Sequence, residues 1–499
     1  MENRKLSLEK IFIIFLVVHV IVWSTLPFIR DLLPTDAMES IYWGGLFDFG
    51  THKHPPLVGW MAYGFYNLLG KTDFSIYLLG QLCVLVGFAY LYKLGKIFLN
   101  KEQSILSVMV LEGCHVYSYM TVFDGFSPNF ILFWLFPAIA YHFYRSIQED
   151  KLFDWIMLGV SVGLGFLAKY QTVMLLLPMI IYSIVIPKGR SVYKKFGFYL
   201  SVFIAFLVFL PHLLWLIKYD FFSFLYFKEC EERYAQTYHG FLKYLEAPFM
   251  FLLAQTMAII GTVVIFLATH LRFNTPLTLN KNALKDDSLF LILLGICPVI
   301  FQALPGLITG TQVHGTWGYP MIYMIGILLF YFLPINVDDK VSSYVIKWVY
   351  ATMIIILTVM LILFSVEKNF RSRYPYQKVS QDMKKIFYQE TGKNLKYVGG
   401  YIEYALPISI YDETHPQMIL DTYGHENPWV SEDEIKENGA IIMTRHKGNL
   451  DETAKKLVPY LDKIKKIEPI DYNFKIYNKF GQERNYTMYY MIISPIRNW

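Results

Sequence analysis

The 499-residue chain is 55% hydrophobic and 18% aromatic and carries a formal net charge of +5 at neutral pH. A mean hydropathy of +0.36 excludes an ordinary soluble multidomain protein, and a small charge spread over short loops excludes a nucleic-acid-binding face. Apolar runs of roughly 15–20 residues, the length a helix needs to cross about 30 Å of hydrocarbon, recur through the first three quarters of the chain.

Arg4, Lys5 and Lys10 precede the apolar stretch Ile11 to Pro27, which is long and lacks a small-residue cleavage site, so an uncleaved first span is expected rather than a secretory signal. About eleven spans follow from hydropathy: Ile11–Pro27, Ser75–Tyr92, Ile105–Met120, Phe130–Tyr144, Trp155–Ala168, Thr172–Ile186, Phe198–Trp215, Phe249–Leu267, Leu289–Leu304, Met321–Leu333 and Val345–Phe364. With the N-terminus cytoplasmic, alternate loops hold Lys93, Lys96 and Lys101; Arg145 and Lys151; Lys188, Arg190, Lys194 and Lys195; and Arg272, Lys281 and Lys285. That is a positive-inside pattern repeated four times, and an odd span count leaves the C-terminal part outside. Leu57–Leu69, with Trp60, Tyr63 and Tyr66, is too short to cross and reads as an interfacial helix. Cys83, Cys114 and Cys297 lie in apolar runs and Cys230 in a polar loop, a pattern that implies neither a disulfide framework nor a zinc site.

Two domains are expected, a membrane domain over residues 1–366 and an extracytoplasmic α/β domain over 367–499. In the latter, Tyr397–Gly400, Met418–Asp421 and Ala440–Thr444 read as short strands, and Ser431 with Glu434 forms a capping box for a helix closed by Gly439. Leu450 to Lys463 reads as an amphipathic helix, and Lys475–Tyr477 with Tyr486–Ser494 reads as a hairpin turning at Gly481.

The polar and Pro-rich clusters fall in the loops that this topology places outside. The first such loop carries Asp36, Glu39, Tyr42, Trp43, Asp48 and then Lys53-His54-Pro55-Pro56; the second carries Phe123-Asp124-Gly125; the third carries Lys169-Tyr170-Gln171; the segments Lys218 to Glu246 and Gln312–Tyr319 complete the set. Asp36 and Glu39 are three apart and share a helix face, which suits a general base or an oxygen site for a divalent cation, or merely acids that favour a helix N-terminus. Lys53 and His54 precede two stiff prolines where the chain returns to the membrane, placing cationic groups at headgroup depth, as a phosphate site or as interfacial anchors. Lys169, between two apolar runs, either snorkels to a phosphate or sets the depth of its turn. Glu112 lies inside the third span with His115 or Lys169 as expected partner, in a functional or a hydrogen-bonded structural role, while His19 reads as packing.

Asp36-Ala37-Met38-Glu39-Ser40-Ile41-Tyr42-Trp43-Gly44, followed by Lys53-His54-Pro55-Pro56-Leu57, resembles the acidic first loop and the Lys/His-Pro-Pro-Leu motif of the bacterial family 39 glycosyltransferases, relatives of protein O-mannosyltransferases and of the lipid A aminoarabinose transferase. Gly163-Leu164-Gly165-Phe166-Leu167-Ala168-Lys169-Tyr170, Pro211-His212-Leu213-Leu214-Trp215 and Trp317-Gly318-Tyr319-Pro320 are similar to further family patterns in the same order. Aligned on Tyr42-Trp43, Glu39 takes the place of the family's Glu and Met38 that of its Asp, with Asp36 two residues early. Asp124 lies upstream of Phe133-Trp134, with Ser127 and Asn129 nearer the family's register.

The resemblance implies a C-type glycosyltransferase fold, mainly α, in a bacterial cytoplasmic membrane. It implies a polyprenyl-phosphate sugar donor, a lipid, glycan or protein acceptor, and transfer at the outer surface with inversion. It implies Asp36 or Glu39 as general base, phosphate contacts from Lys53, His54 and Lys169, and Asp124, Tyr170, His212 and Trp317 in the substrate-binding set. A divalent metal stays open, because these cations suffice to neutralise a single phosphate. The rivals are a flippase of lipid-linked saccharides, which predicts symmetric halves and polar midplane helices, and a membrane scaffold that presents the C-terminal domain.

Overall fold

The computed structural model describes residues 6–225, 240–280, 283–420, 428–458 and 466–496. The chain is a multi-pass membrane protein, mainly α, with a small α/β part near its C-terminus. Among the described residues, six helices are long and apolar enough to cross a bilayer: Leu8–Ile29, Asp73–Phe98, Pro128–Glu149, Phe196–Lys218, Lys243–Arg272 and Asp339–Val366. Three bent pairs raise the number to as many as nine: Tyr170–Val185 with Pro187–Lys194, Lys285–Gly295 with Cys297–Thr309, and Gly315–Ile322 with Ile325–Phe332. Leu152–Ala168, and Lys101–Met109 continuing into the tight turn Val110–Gly113, are shorter. Ten of the eleven expected segments are helical, straight or bent, while the third, Ile105–Met120, is helical only as far as Gly113 and continues as turns to Tyr119, so it is not a full span.

Two compact units are present. The first comprises Met1–Pro27, Phe49–Val58 and Phe74–Met360. Hydrocarbon offers helices no hydrophobic drive to pair, so close backbone approach does that work. Gly159 and Gly163, four apart on Leu152–Ala168, show how: a Cβ on Gly159 would lie 2.5 Å from the Ser201 carbonyl oxygen, and one on Gly163 2.6 Å from Val208 Cβ. Thr262 Oγ1 donates to the Val110 carbonyl at 2.8 Å, giving the Val110–Gly113 turn a polar partner inside the bundle.

Glu112 lies in that turn, and its partners are neither His115 nor Lys169. His19 Nδ1 stands 2.6 Å from one carboxylate oxygen and Trp23 Nε1 donates to the other at 2.9 Å. All three side chains are buried. Helical spacing puts His19 and Trp23 on one face of Leu8–Thr25, and that face meets Glu112; His19 is a hydrogen-bonding residue and not simple packing.

The second unit comprises Phe28–Asp48, Gly59–Asp73 and Leu361–Trp499. Its five-stranded sheet has the order β2-β1-β3-β5-β4, with β1 Tyr397–Gly400, β2 Gln417–Ile419, β3 Ala440–Thr444, β4 Ile470–Tyr477 and β5 Glu483–Ile493. β1 pairs in parallel with β2 and β3, while β5 pairs antiparallel with β3 and β4. The helix Glu432–Asn438 opens on the Ser431/Glu434 capping box and closes at Gly439, whose φ of 73° favours glycine. Leu450 and Ala454, from the helix Leu450–Leu457, join Ile419, Ile435, Ile442 and Met491 in the core. Much of the remainder of the expected Leu450–Lys463 helix lies outside the described residues, as do residue 421 of the second expected strand, residues 226–239 of the loop from Lys218 to Glu246 with its cysteine at 230, and Lys281.

Candidate functional site

In the first unit, the loop Gly50–Pro56 is folded by its own polar groups. Thr51 Oγ1 accepts from the backbone N–H of Lys53 at 3.2 Å and of His54 at 2.9 Å, and donates to the His54 carbonyl at 3.0 Å. Ser223 Oγ donates to the Thr51 carbonyl at 2.5 Å. Gly50 makes room for Trp215, since a Cβ there would fall 2.4 Å from the indole. The loop is therefore a fixed presentation of His52, Lys53 and His54.

Lys169, just beyond the helix Leu152–Ala168, donates to Asn129 Oδ1 at 2.8 Å, and Asn129 Nδ2 donates to the Thr316 carbonyl at 3.2 Å, next to Trp317. His54 lies within electrostatic reach of both Lys169 and Lys53. Burial first, then Lys169, Lys53 and His52, hold the His54 imidazole well below its ordinary pKa of 6.5. Burial and Lys53 do the same to His52. This corrects the expectation of a cationic His54: at neutral pH the ring is neutral, and the positive charge of this cluster comes from Lys53 and Lys169.

Tyr170 and His212 form a second polar pair. His212 Nδ1 is 2.6 Å from the Phe49 carbonyl oxygen and Nε2 is 2.7 Å from the Tyr170 hydroxyl. A carbonyl only accepts, so Nδ1 carries the proton and Nε2 accepts from Tyr170. Beside Tyr170 lies an apolar cavity of about 870 Å³ lined by Trp155, Leu158, Phe166, Phe206 and Phe209 among others. Trp317 packs against the cluster of Phe251, Ala303 and Val313, and Asp124, ending the helix Met120–Asp124, lies within electrostatic reach of Tyr319.

In the second unit, Asp36 and Glu39 lie on the helix Thr35–Gly45, as their spacing requires. Asp36 is exposed in the first turn, whereas Glu39 is only 3% exposed. Tyr42, one turn on from Glu39, donates to the Met418 carbonyl at 2.9 Å and accepts from the Met418 N–H at 3.0 Å. Trp429 Nε1 donates to Asp48 Oδ2 at 3.1 Å. Asp31 takes Arg373 and Lys479, each at 2.9 Å. The acidic loop is thus bound into the C-terminal α/β unit by side chains that no local pattern marks, Trp429 and Arg373 foremost. Asn129 had a signal in its register; His52 had only its neighbours. Among the described residues, no group of three or more His, Cys, Asp or Glu side chains is arranged to hold a metal ion.

Residues 53–215, which contain Lys53, His54, Asp124, Lys169, Tyr170 and His212, match the family described as dolichyl-phosphate-mannose-protein mannosyltransferase. The lipid A galacturonosyltransferase RgtD of Rhizobium johnstonii is 26% identical over 193 residues, 37% of this chain and 38% of that protein. The lipopolysaccharide core galacturonosyltransferase RgtA of the same organism is 20% identical over 205 residues, 40% of each chain. The matched part therefore spans about two fifths of these curated relatives. ArnT from Cupriavidus metallidurans, solved bound to undecaprenyl phosphate, superposes with a TM-score of 0.63 at 13% identity over 96% of this chain and 97% of that one. These similarities bear out the family resemblance, and the family match takes in the Lys-His-Pro-Pro motif but not the acidic first loop, which lies before residue 53.

Proposed function

We propose that the chain transfers a sugar from a polyprenyl-phosphate donor to an envelope acceptor at the outer face of the bacterial cytoplasmic membrane. In this reading the N-terminus is cytoplasmic, residues 1–366 form the transferase domain and residues 367–499 an extracytoplasmic domain. The observation that carries it is the cluster of Lys53, His54 and Lys169, held by Thr51 and Asn129, within the stretch that matches the mannosyltransferase family. Two ammonium groups with a neutral imidazole suit one phosphate, and the neighbouring cavity beside Tyr170 suits a polyprenyl chain.

Glu39 or Asp36 takes the proton of an acceptor hydroxyl as its oxygen attacks the anomeric carbon. The bond from that carbon to the phosphate oxygen breaks, its electron pair leaves with the lipid phosphate, and the configuration inverts. Lys53 and Lys169 stabilise the charge that grows on the departing phosphate. Glu39 and Asp36 differ in exposure, the first buried and the second open in the first turn of the helix, and single variants of each decide which is the base. The galacturonosyltransferase relatives support lipid A or core oligosaccharide as the acceptor class. Undecaprenyl phosphate, the lipid held by ArnT, represents the proposed carrier.

The test is mass spectrometry of envelope lipids, glycans and secreted proteins from cells with the wild-type chain, a deletion, or the Asp36→Asn/Glu39→Gln double variant at equal level. Loss of the same single sugar in the deletion and the double variant is the expected result. A double variant that keeps the sugar would sink the first-loop site, and a deletion that loses nothing would sink the transferase.

A further inference from the structure

Outside the residues assigned to transfer, the second unit holds a polar cleft of about 560 Å³ lined by Glu367, Lys368, Asn369, Arg445, Arg484 and Tyr486. Three cationic side chains there outweigh one carboxylate. Arg445 lies over the Tyr401 ring at 5.4 Å and Arg484 over the Tyr486 ring at 5.2 Å. The ring contacts place both guanidinium groups at the cleft wall, Arg445 also hydrogen-bonding Tyr404, and a guanidinium is the side chain best matched to a phosphate oxyanion.

The level of the cleft follows from the chain. Its first residues, Glu367 to Asn369, come directly after the membrane-length helix Asp339–Val366. The β4–β5 turn caps the end of that helix: Asn478 Nδ2 donates to the Val366 carbonyl at 3.3 Å and the Lys479 N–H to the Ser365 carbonyl at 3.1 Å. Lys368 Nζ reaches Gln482 Oε1 on the same turn at 3.5 Å. Phe480, at the tip of that turn, is 69% exposed, as an aromatic is where it meets the interface. A cationic cleft that starts one residue past a span sits at the depth of lipid headgroups.

We infer that this cleft binds the phosphate of an anionic membrane lipid, at a site separate from the Lys53–Lys169 cluster. The shared chemistry is a lipid-borne phosphate, either the headgroup of a bulk phospholipid or the phosphate of a phosphorylated glycolipid. Lys368, Arg445 and Arg484 supply the charge-assisted contacts.

The whole protein in neutral detergent is titrated with short-chain phosphatidylglycerol, short-chain phosphatidylcholine, inorganic phosphate and a phosphorylated glucosamine glycolipid, and binding is read by native mass spectrometry. Phosphatidylglycerol should bind at least about tenfold tighter than phosphatidylcholine and be displaced by inorganic phosphate, and Arg445→Gln/Arg484→Gln should lower its affinity by about tenfold or more. Tighter binding of the glycolipid than of phosphatidylglycerol assigns the cleft to an acceptor phosphate; equal binding assigns it to bulk lipid. Equal affinity for the two phospholipids, or a double variant that melts like wild type and binds phosphatidylglycerol like wild type, overturns the inference. If the double variant melts early, Arg484→Gln alone, at an exposed strand position, serves in its place and should still weaken binding several-fold.

Discussion

The Tyr42 hydroxyl is bonded to both backbone groups of one residue, donating to the Met418 carbonyl and accepting from the Met418 N–H, across 376 residues of sequence. Because Tyr42 follows Glu39 by one helical turn, this pair fixes the rotation of the helix that carries the candidate base. Tyr42→Phe keeps the ring and deletes both bonds. It should cost about 1–3 kcal/mol by stranding the Met418 groups, and lower sugar transfer about tenfold or more at equal protein level. Thermal melting together with a turnover assay checks both; unchanged turnover would separate the C-terminal unit from the positioning of Glu39.

Lys169 is held by Asn129, so the two should fail in different ways. Lys169→Met removes a charge from the proposed phosphate site and should lower transfer by about 10²-fold, the scale of losing one stabilising group. Asn129→Ala leaves the charge but not its aim, with an expected loss of roughly tenfold. Initial rates at saturating and limiting donor, measured in membranes with matched expression, distinguish them. Equal rates for Lys169→Met and wild type would remove Lys169 from the site.

Asp412 in the second unit gives a pH signature. Burial alone raises a carboxyl pKa, but hydrogen bonds from Lys384, Ser380 and Thr414 outweigh it and hold Asp412 below the ordinary 3.8. A depressed folded pKa contributes stability that is complete above 3.8 and is lost as pH falls from there through the folded value. Asp412→Asn should therefore cost about 1–3 kcal/mol at neutral pH, toward the low end because Lys384 is partly solvated. Melting curves from neutral pH down to about pH 3 should converge for variant and wild type as acid is added; a constant gap would refute the linkage.

Glu112 tests the transport reading. With both carboxylate oxygens engaged by His19 and Trp23, it is a structural acceptor inside the bundle. Glu112→Leu leaves the buried His19 Nδ1 and Trp23 Nε1 without this partner, at about 1–3 kcal/mol each. The variant should melt earlier, while the folded fraction keeps its specific transfer activity. A stable variant that loses only transmembrane movement of lipid-linked sugar would restore the rival.

Much of this protein was legible from its residues. Hydropathy located most of the long helices of the bundle because crossing hydrocarbon imposes a length and a composition on each span by itself. It failed at Ile105–Met120, where the helix gives way to turns after Gly113. The Ser431/Glu434 capping box, the strand Ala440–Thr444 and the turn at Gly481 were legible for the same reason: each is decided within a few residues. The motif Lys53-His54-Pro55-Pro56 announced itself by its unusual local chemistry.

Tertiary structure alone decided the rest. That Glu112 meets His19, 93 residues away, depends on the first span turning one particular face toward the Val110–Gly113 turn, and that His54 is neutral depends on burial and on Lys169, 115 positions along the chain. The acidic loop Phe28–Asp48 folds with the C-terminal unit because Tyr42, Asp48 and Asp31 find Met418, Trp429 and Arg373 there. Such pairings are set by the packing of whole elements, and a charge or a hydroxyl carries no mark in sequence of the distant partner that will satisfy it.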